Sequence, residues 1–159
     1  MKVKFYVTIV CLCLGFADGA LAQEIRLQGS PSFSFANTDI QPGEGFPSQS
    51  ETTNNINIDI KKLSKNAYWS VSVNKNDTRW NNQVKVFVRR TSSGTSNGNG
   101  SGSVYGGLNY IQINNLSSTF ITGNKKMSNI DIQYKITGVD VTLPADDYYT
   151  DIVYTLYEN

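Results

Sequence analysis

Along most of this chain apolar and polar side chains alternate residue by residue, and that period of two commits it to β-structure. Ile25, Leu27, Gly29, Pro31, Phe33 and Phe35 are separated by Arg26, Gln28 and three serines, so one face of that segment is apolar or small and the other polar. The same alternation returns in Ile56, Ile58 and Ile60, in Trp69, Val71 and Val73, and in Val84, Val86 and Val88. It closes the chain in Ile130, Ile132, Tyr134 and Ile136, then in Ile152, Tyr154 and Leu156. Tyr110 to Ile113 is a shorter segment of the same kind. No apolar stripe recurs at helical spacing. About seven strands divided by turn-rich segments predict an all-β, antiparallel sandwich with one side of each sheet in water.

The connections carry the polar residues. Asp39 to Asn55, with Pro42-Gly43 and Phe46-Pro47, reads as a long surface loop. Residues 91–103 are Ser, Thr, Gly and Asn throughout and lack the apolar surface that offsets ordering entropy, so they read as a flexible loop between two strands. Gly138 to Asp147 is a turn-rich approach to the last strand.

The first 22 residues predict a secretory signal. Lys2 and Lys4 make the basic end, Tyr6 to Ala17 is an apolar run too short to span a bilayer comfortably, and Ala20-Leu21-Ala22 is a small-x-small cleavage pattern before Gln23. A β-sandwich domain of residues 23–159 follows, with no further apolar run and hence no expected membrane span. The expected location is secreted or on the cell surface. Removing the signal takes away Cys11 and Cys13, the only cysteines, and brings the formal charge from +1 to zero. The exported domain must then be held by its core, without a disulfide.

Composition limits the chemistry further. The chain has no histidine, which excludes Cys/His zinc sites and His-based catalytic centres. A neutral domain is a poor match for a nucleic-acid backbone. Asp146, Asp147 and Asp151 cluster near the last strand but match no calcium-loop spacing, and no metal or cofactor is expected. Lys85, Arg89 and Arg90 form a basic strip read as a solvated face. No two carboxylates are placed together for glycosidase chemistry, and no enzymatic role is expected. Trp69 shares a face with Val71 and Val73 and is expected in the core. Trp80 lies in a polar turn between Arg79 and Asn81, where it can cap the core or, with Tyr105, stack on a sugar ring. A secreted carbohydrate-binding module that takes a glycan on Trp80, Arg79, Asn81 and Tyr105 is therefore one functional reading.

The stretch Leu143-Pro144-Ala145-Asp146-Asp147-Tyr148-Tyr149-Thr150-Asp151, followed by alternating Ile152 to Leu156, resembles the closing motif of the spore-coat-protein-U/Csu-type secreted pilins and related fimbria-like domains. The order of signal, alternating first strand, Trp-bearing strand, Gly-rich middle and final strand agrees with it. Asp146 stands where that family usually has glycine, and the disulfide common there is absent. The resemblance implies an immunoglobulin-like sandwich and non-catalytic work: an exported, fimbrial-subunit-like protein acting by assembly or adhesion. It further implies an incomplete sheet filled by a strand from a chaperone or a neighbouring subunit. Ile25, Leu27, Gly29, Phe33 and Phe35 have the alternation of such a donor strand, and equally that of the first strand of a complete sandwich.

Overall fold

The computed structural model describes residues 2–9, 23–29, 31, 33, 49–51, 56–64, 67–97, 101–139, 143–144 and 146–159, with backbone only at 2–9 and 49–51. Among them are twelve strands and no helix. They are β1 (Lys2–Ile9), β2 (Glu24–Gln28), β3 (Gln49–Glu51), β4 (Ile56–Lys61), β5 (Tyr68–Arg79) and β6 (Lys85–Arg90), then β7 (Thr95–Ser96), β8 (Ser103–Tyr105), β9 (Ile111–Gln112), β10 (Ser118–Asn124), β11 (Met127–Thr137) and β12 (Asp147–Glu158). No helix of the described residues is long and apolar enough to cross a membrane.

Two sheets form the sandwich. Sheet A runs β1-β12-β5-β10-β8, and sheet B runs β2-β4-β11-β6-β9, with β3 and β7 also on β11. Each of the seven segments with alternating side chains contributes a strand: β2, β4, β5, β6, β9, β11 and β12. The count rises from about seven to twelve with β1, β3, β7, β8 and β10, which lie outside those segments. Every pair is antiparallel except β1 with β12, which run parallel from Lys2 opposite Asp147 to Ile9 opposite Tyr154. The residues expected as an export signal thus supply one edge strand of sheet A, with β8 at the other edge. The second half of the first alternating segment does not extend β2: Gly29 turns the chain at φ 100°, and Phe35 lies outside the described residues.

The core lies between the sheets. Sheet A contributes Trp69, Val71 and Val73 from β5, Phe120 and Ile121 from β10, and Ile152, Tyr154 and Leu156 from β12. Sheet B answers with Ile58 and Ile60, Val86 and Val88, and Ile130, Ile132 and Tyr134. At one end a smaller cluster of Val84, Ile136, Val139, Leu143 and Tyr148 closes the sandwich. The Tyr148 hydroxyl donates to the carbonyl of Pro144, four residues back, and pins the chain as it enters β12.

Polar groups inside the sandwich are paired, as burial requires. The hydroxyls of Tyr134 and Tyr154 meet at 2.6 Å and bridge the two sheets at mid-core. Burial pushes both phenols well above their ordinary range, with each tyrosine's partner also acting on it. The neutral form is thus favoured in the folded state. Stability from this source is complete below the ordinary phenol value of about 10 and is lost as pH rises past it. The melting temperature should fall above about pH 10, and Tyr134→Phe should flatten that fall while lowering stability near pH 7 by about 1–3 kcal/mol through the orphaned Tyr154 hydroxyl. A melting curve indifferent to pH up to 11.5, or an unchanged slope in the variant, would remove the pair as the cause.

The Ser/Gly/Asn segment is tied to the sandwich at several points. The Arg90 guanidinium donates to Gly106 O, Ser92 O and Ser93 Oγ. Ser92 Oγ accepts from the amide of Asp131. Asn97 N reaches Lys126 O, and Gly102 N reaches Ser96 Oγ. Arg90 is therefore buried and organises this loop. The basic strip expected on a solvent face loses that member and keeps Lys85 and Arg89. Arg89 stands over the Tyr110 ring, as does Lys135 from β11.

Candidate functional site

Three places bear on function: the β5–β6 turn, the outer edge of β12, and the position of Tyr105.

The turn begins where β5 ends. Asn81 Oδ1 accepts the amide of Gln83, and Val84 N donates to Asn81 O, so the asparagine side chain shapes the turn. The Trp80 ring is half-buried and packs against both core clusters. Its indole Nε1 donates to Val84 O at 2.8 Å. Trp80 is thus a cap on the sandwich end. Arg79 is exposed and donates to Asp146 at 2.8 Å, which joins the turn to the approach of β12 and raises the guanidinium pKa.

Beneath the cap lies a charged pair on the inner side of β5. Lys75 is buried, donates to Asp77 and sits 5.7 Å from the centre of the Trp80 ring. Asp77 also accepts from Thr150 Oγ1 at 2.8 Å and Asn115 Nδ2 at 3.1 Å. Burial opposes its charge, but the hydrogen bonds from Lys75, Thr150 and Asn115 outweigh that and hold its carboxyl below the usual range. The network joins β5, β12 and the loop before β10. Sequence reasoning missed it: Asp77 falls in the polar stretch around Trp80, and nothing local to Lys75 marks it as buried. Only the apolar-in alternation of Trp69, Val71 and Val73, carried two steps further, points to both.

The three aspartates do not gather. Asp146 is engaged by Arg79 and by the amide of Asp147, while Asp151 lies along β12 opposite Asn76. Among the described residues no three His, Cys, Asp or Glu side chains are grouped to hold a metal ion.

Tyr105 lies elsewhere. On β8 it stands opposite Thr122, which stands opposite Ser70 at the start of β5. Arg79 is nine residues further along β5, so Tyr105 and the turn are separated by roughly 30 Å of strand. The structure does not bring Tyr105 together with Trp80, Arg79 and Asn81. The glycan reading built on those four residues as one site is not assembled.

Along β12, Tyr148, Thr150, Ile152, Tyr154 and Leu156 turn into the core, and the intervening residues face out. One side of β12 pairs with β5 over nearly its whole length. The other side pairs with Lys2–Ile9 alone among the described residues. The donor-strand candidates sit on the other sheet. Ile25 is buried and Leu27 packs against the core in β2, which pairs with β4 of the same chain, Ile25 opposite Ile60 and Leu27 opposite Ile58. Phe33 also packs against the core.

Comparison with protein-family models, with curated proteins and with solved structures finds no significant match.

Proposed function

We propose that this chain is an exported, fimbrial-subunit-like domain with an immunoglobulin-like sandwich, acting at the cell surface by assembly or adhesion through strand addition at the outer edge of β12. The observation that carries the reading is the parallel pairing of β12 with Lys2–Ile9. Those eight residues belong to the segment expected to be removed on export. Without them, no described segment of residues 23–159 pairs with that side of β12. A strand of this length with an apolar inner face and unpaired amides and carbonyls on one side is a template for a strand from another chain.

Strand order supports the immunoglobulin-like type. The run β2-β4-β11-β6 has the order A-B-E-D of that fold, and β12 beside β5 has the order F-C. The hydrogen bond from Tyr148 at the head of β12 to Pro144 matches the tyrosine corner of such sandwiches. In this correspondence β1 occupies the place of the closing strand G. The occupant after export would be a chaperone strand or a neighbouring subunit's segment, for which Ile25 to Phe35 is the candidate; to serve, its first half must leave β4.

The test compares residues 23–159 with and without a peptide spanning Gln23 to Phe35. The expected result is concentration-dependent oligomers of the 23–159 chain, with fast amide exchange along β12 that slows when the peptide is added. A 23–159 chain that stays monomeric at every accessible concentration, with β12 amides already protected, would reject strand addition.

A further inference from the structure

The outer face of sheet A differs in composition from the outer face of sheet B. Register places Tyr105, Thr122, Ser70 and Tyr157 in one row across β8, β10, β5 and β12. The next row toward the sheet end holds Ser103, Asn124 and Tyr68. On the other side follow Thr119, Ser72 and Thr155, then Asn74 and Val153. All of them lie on the face opposite Trp69, Val71 and Val73, so they look away from the core.

Among the described residues, three of the five exposed large hydrophobic side chains lie here: Tyr68 at 64 % exposure, Tyr105 at 60 % and Tyr157 at 44 %. Tyr105 and Tyr157 are three inter-strand steps apart, roughly 14 Å, and Tyr68 lies between them, one row displaced. The rows between are hydroxyls and amides. No Asp, Glu, Lys or Arg occurs in these four rows; on this face of β12 the first charged residue is Asp151. The outer face of sheet B is the reverse. It carries Lys85, Arg89, Lys135 and Lys61, with Asp59 held by Lys61, Gln28 and Asn129.

We propose that the outer face of sheet A is a binding platform for a neutral polysaccharide. Each tyrosine offers an apolar ring to the C–H face of a sugar and a hydroxyl to its rim. Thr119, Thr122, Ser70, Asn74 and Thr155 supply donors and acceptors for sugar hydroxyls, while Ser72 is buried and accepts from the Ser117 hydroxyl. The lack of charge excludes an electrostatic reason for an acidic or basic partner to settle here, and the density of hydroxyls and amides makes the face too polar for a lipid surface. The span from Tyr105 to Tyr157 suits an extended oligosaccharide laid across the strands. This platform is independent of the β12 edge, since strand addition uses backbone groups in the plane of the sheet and leaves its outer face open.

The test is affinity electrophoresis of the full chain in gels containing hydroxyethylcellulose, glucomannan, xylan or laminarin, with pull-down on insoluble cellulose and chitin. Retardation or retention on at least one of these is expected. Tyr105→Ala, Tyr157→Ala and Tyr68→Ala should each weaken it about three- to tenfold, the range of single aromatic stacking contacts. Lys85→Ala on sheet B should leave it unchanged. Because the three tyrosines are exposed, the variants should keep the parent melting temperature, which separates loss of binding from loss of fold. No retention on any of the six polysaccharides would overturn the proposal, and so would retention unaffected by the triple tyrosine variant. Tyrosine variants that alter only the protein's own sedimentation would also overturn it and make the face an interface between copies.

Discussion

Trp69→Ala should lower stability by about 3–5 kcal/mol, the range for removing a large aromatic from a packed core. The indole is 1 % exposed, lies between the sheets beside Val71 and Val73, and donates from Nε1 to Lys125 O at 2.7 Å. Truncation therefore opens a large cavity and leaves that carbonyl without its donor. The ring also lies against Gly123, where an added Cβ would stand 2.3 Å from the indole Cζ2. Gly123→Val should destabilise by a comparable route, driving the indole out of its site from the neighbouring strand β10. Trp80→Ala should cost clearly less than Trp69→Ala, because Trp80 is half-buried at the sandwich end. Urea midpoints of the three variants check the order. A Trp69→Ala loss below that of Trp80→Ala would mean that the core is centred elsewhere.

The contrast between these two tryptophans shows what the sequence discloses. Strict alternation puts Trp69 on the inner face of β5 before any coordinates are known, because the period of two assigns faces without reference to partners. Trp80 sits past the end of the alternation, and only the fold decides that its ring turns back onto Val84. The same limit hides β10. Phe120 and Ile121 are adjacent yet both buried, because the register shifts at a bulge between Thr119 and Ile121. A bulge reverses the facing of everything beyond it, so the segment shows no clean period. Arg90 is hidden for a related reason. It follows Arg89 as another charge, but its position in the alternation with Val86 and Val88 points inward, where the carbonyls of Ser92 and Gly106 receive it.

The candidate sites divide in the same way. The alternation of Ile25 and Leu27 is legible, but strand pairing is a property of topology, and the sequence could not say that β4 would be their neighbour. Nor could it say that the free side of β12 would be met by Lys2–Ile9. The separation of Tyr105 from Trp80 is equally a matter of strand order: both look like loop aromatics in the chain, and the sheet sets them at opposite ends. What gathers Tyr105 with Tyr68 and Tyr157 is cross-strand register over four strands, which no local window contains.

Asp77→Ala should cost about 2–4 kcal/mol, somewhat below the ceiling for a fully buried ion pair because the Asp77 side chain keeps 21 % of its surface in solvent. The substitution leaves the Lys75 ammonium buried beneath Trp80 without its counter-charge, takes the Asp77 acceptor from Asn115, and leaves Thr150 Oγ1 with the Asn76 carbonyl alone. Removing both charges together, as Lys75→Met with Asp77→Leu, should recover most of the loss, since the penalty comes from a stranded charge and not from a missing attraction. The pair also sets an acid limit. A carboxyl held below its ordinary value of 3.8 contributes stability that is present above that value and is lost as pH falls through the lowered one. Asp59, whose burial is outweighed by hydrogen bonds from Lys61 and the Asn129 amide, adds to the same limb. The parent should therefore lose melting temperature below about pH 4, and the Lys75→Met/Asp77→Leu variant should lose less over the same interval. Equal acid slopes in the two proteins, or an Asp77→Ala loss within about 0.5 kcal/mol of zero, a level typical of surface substitutions, would show that Lys75 finds water or another acceptor under the Trp80 cap.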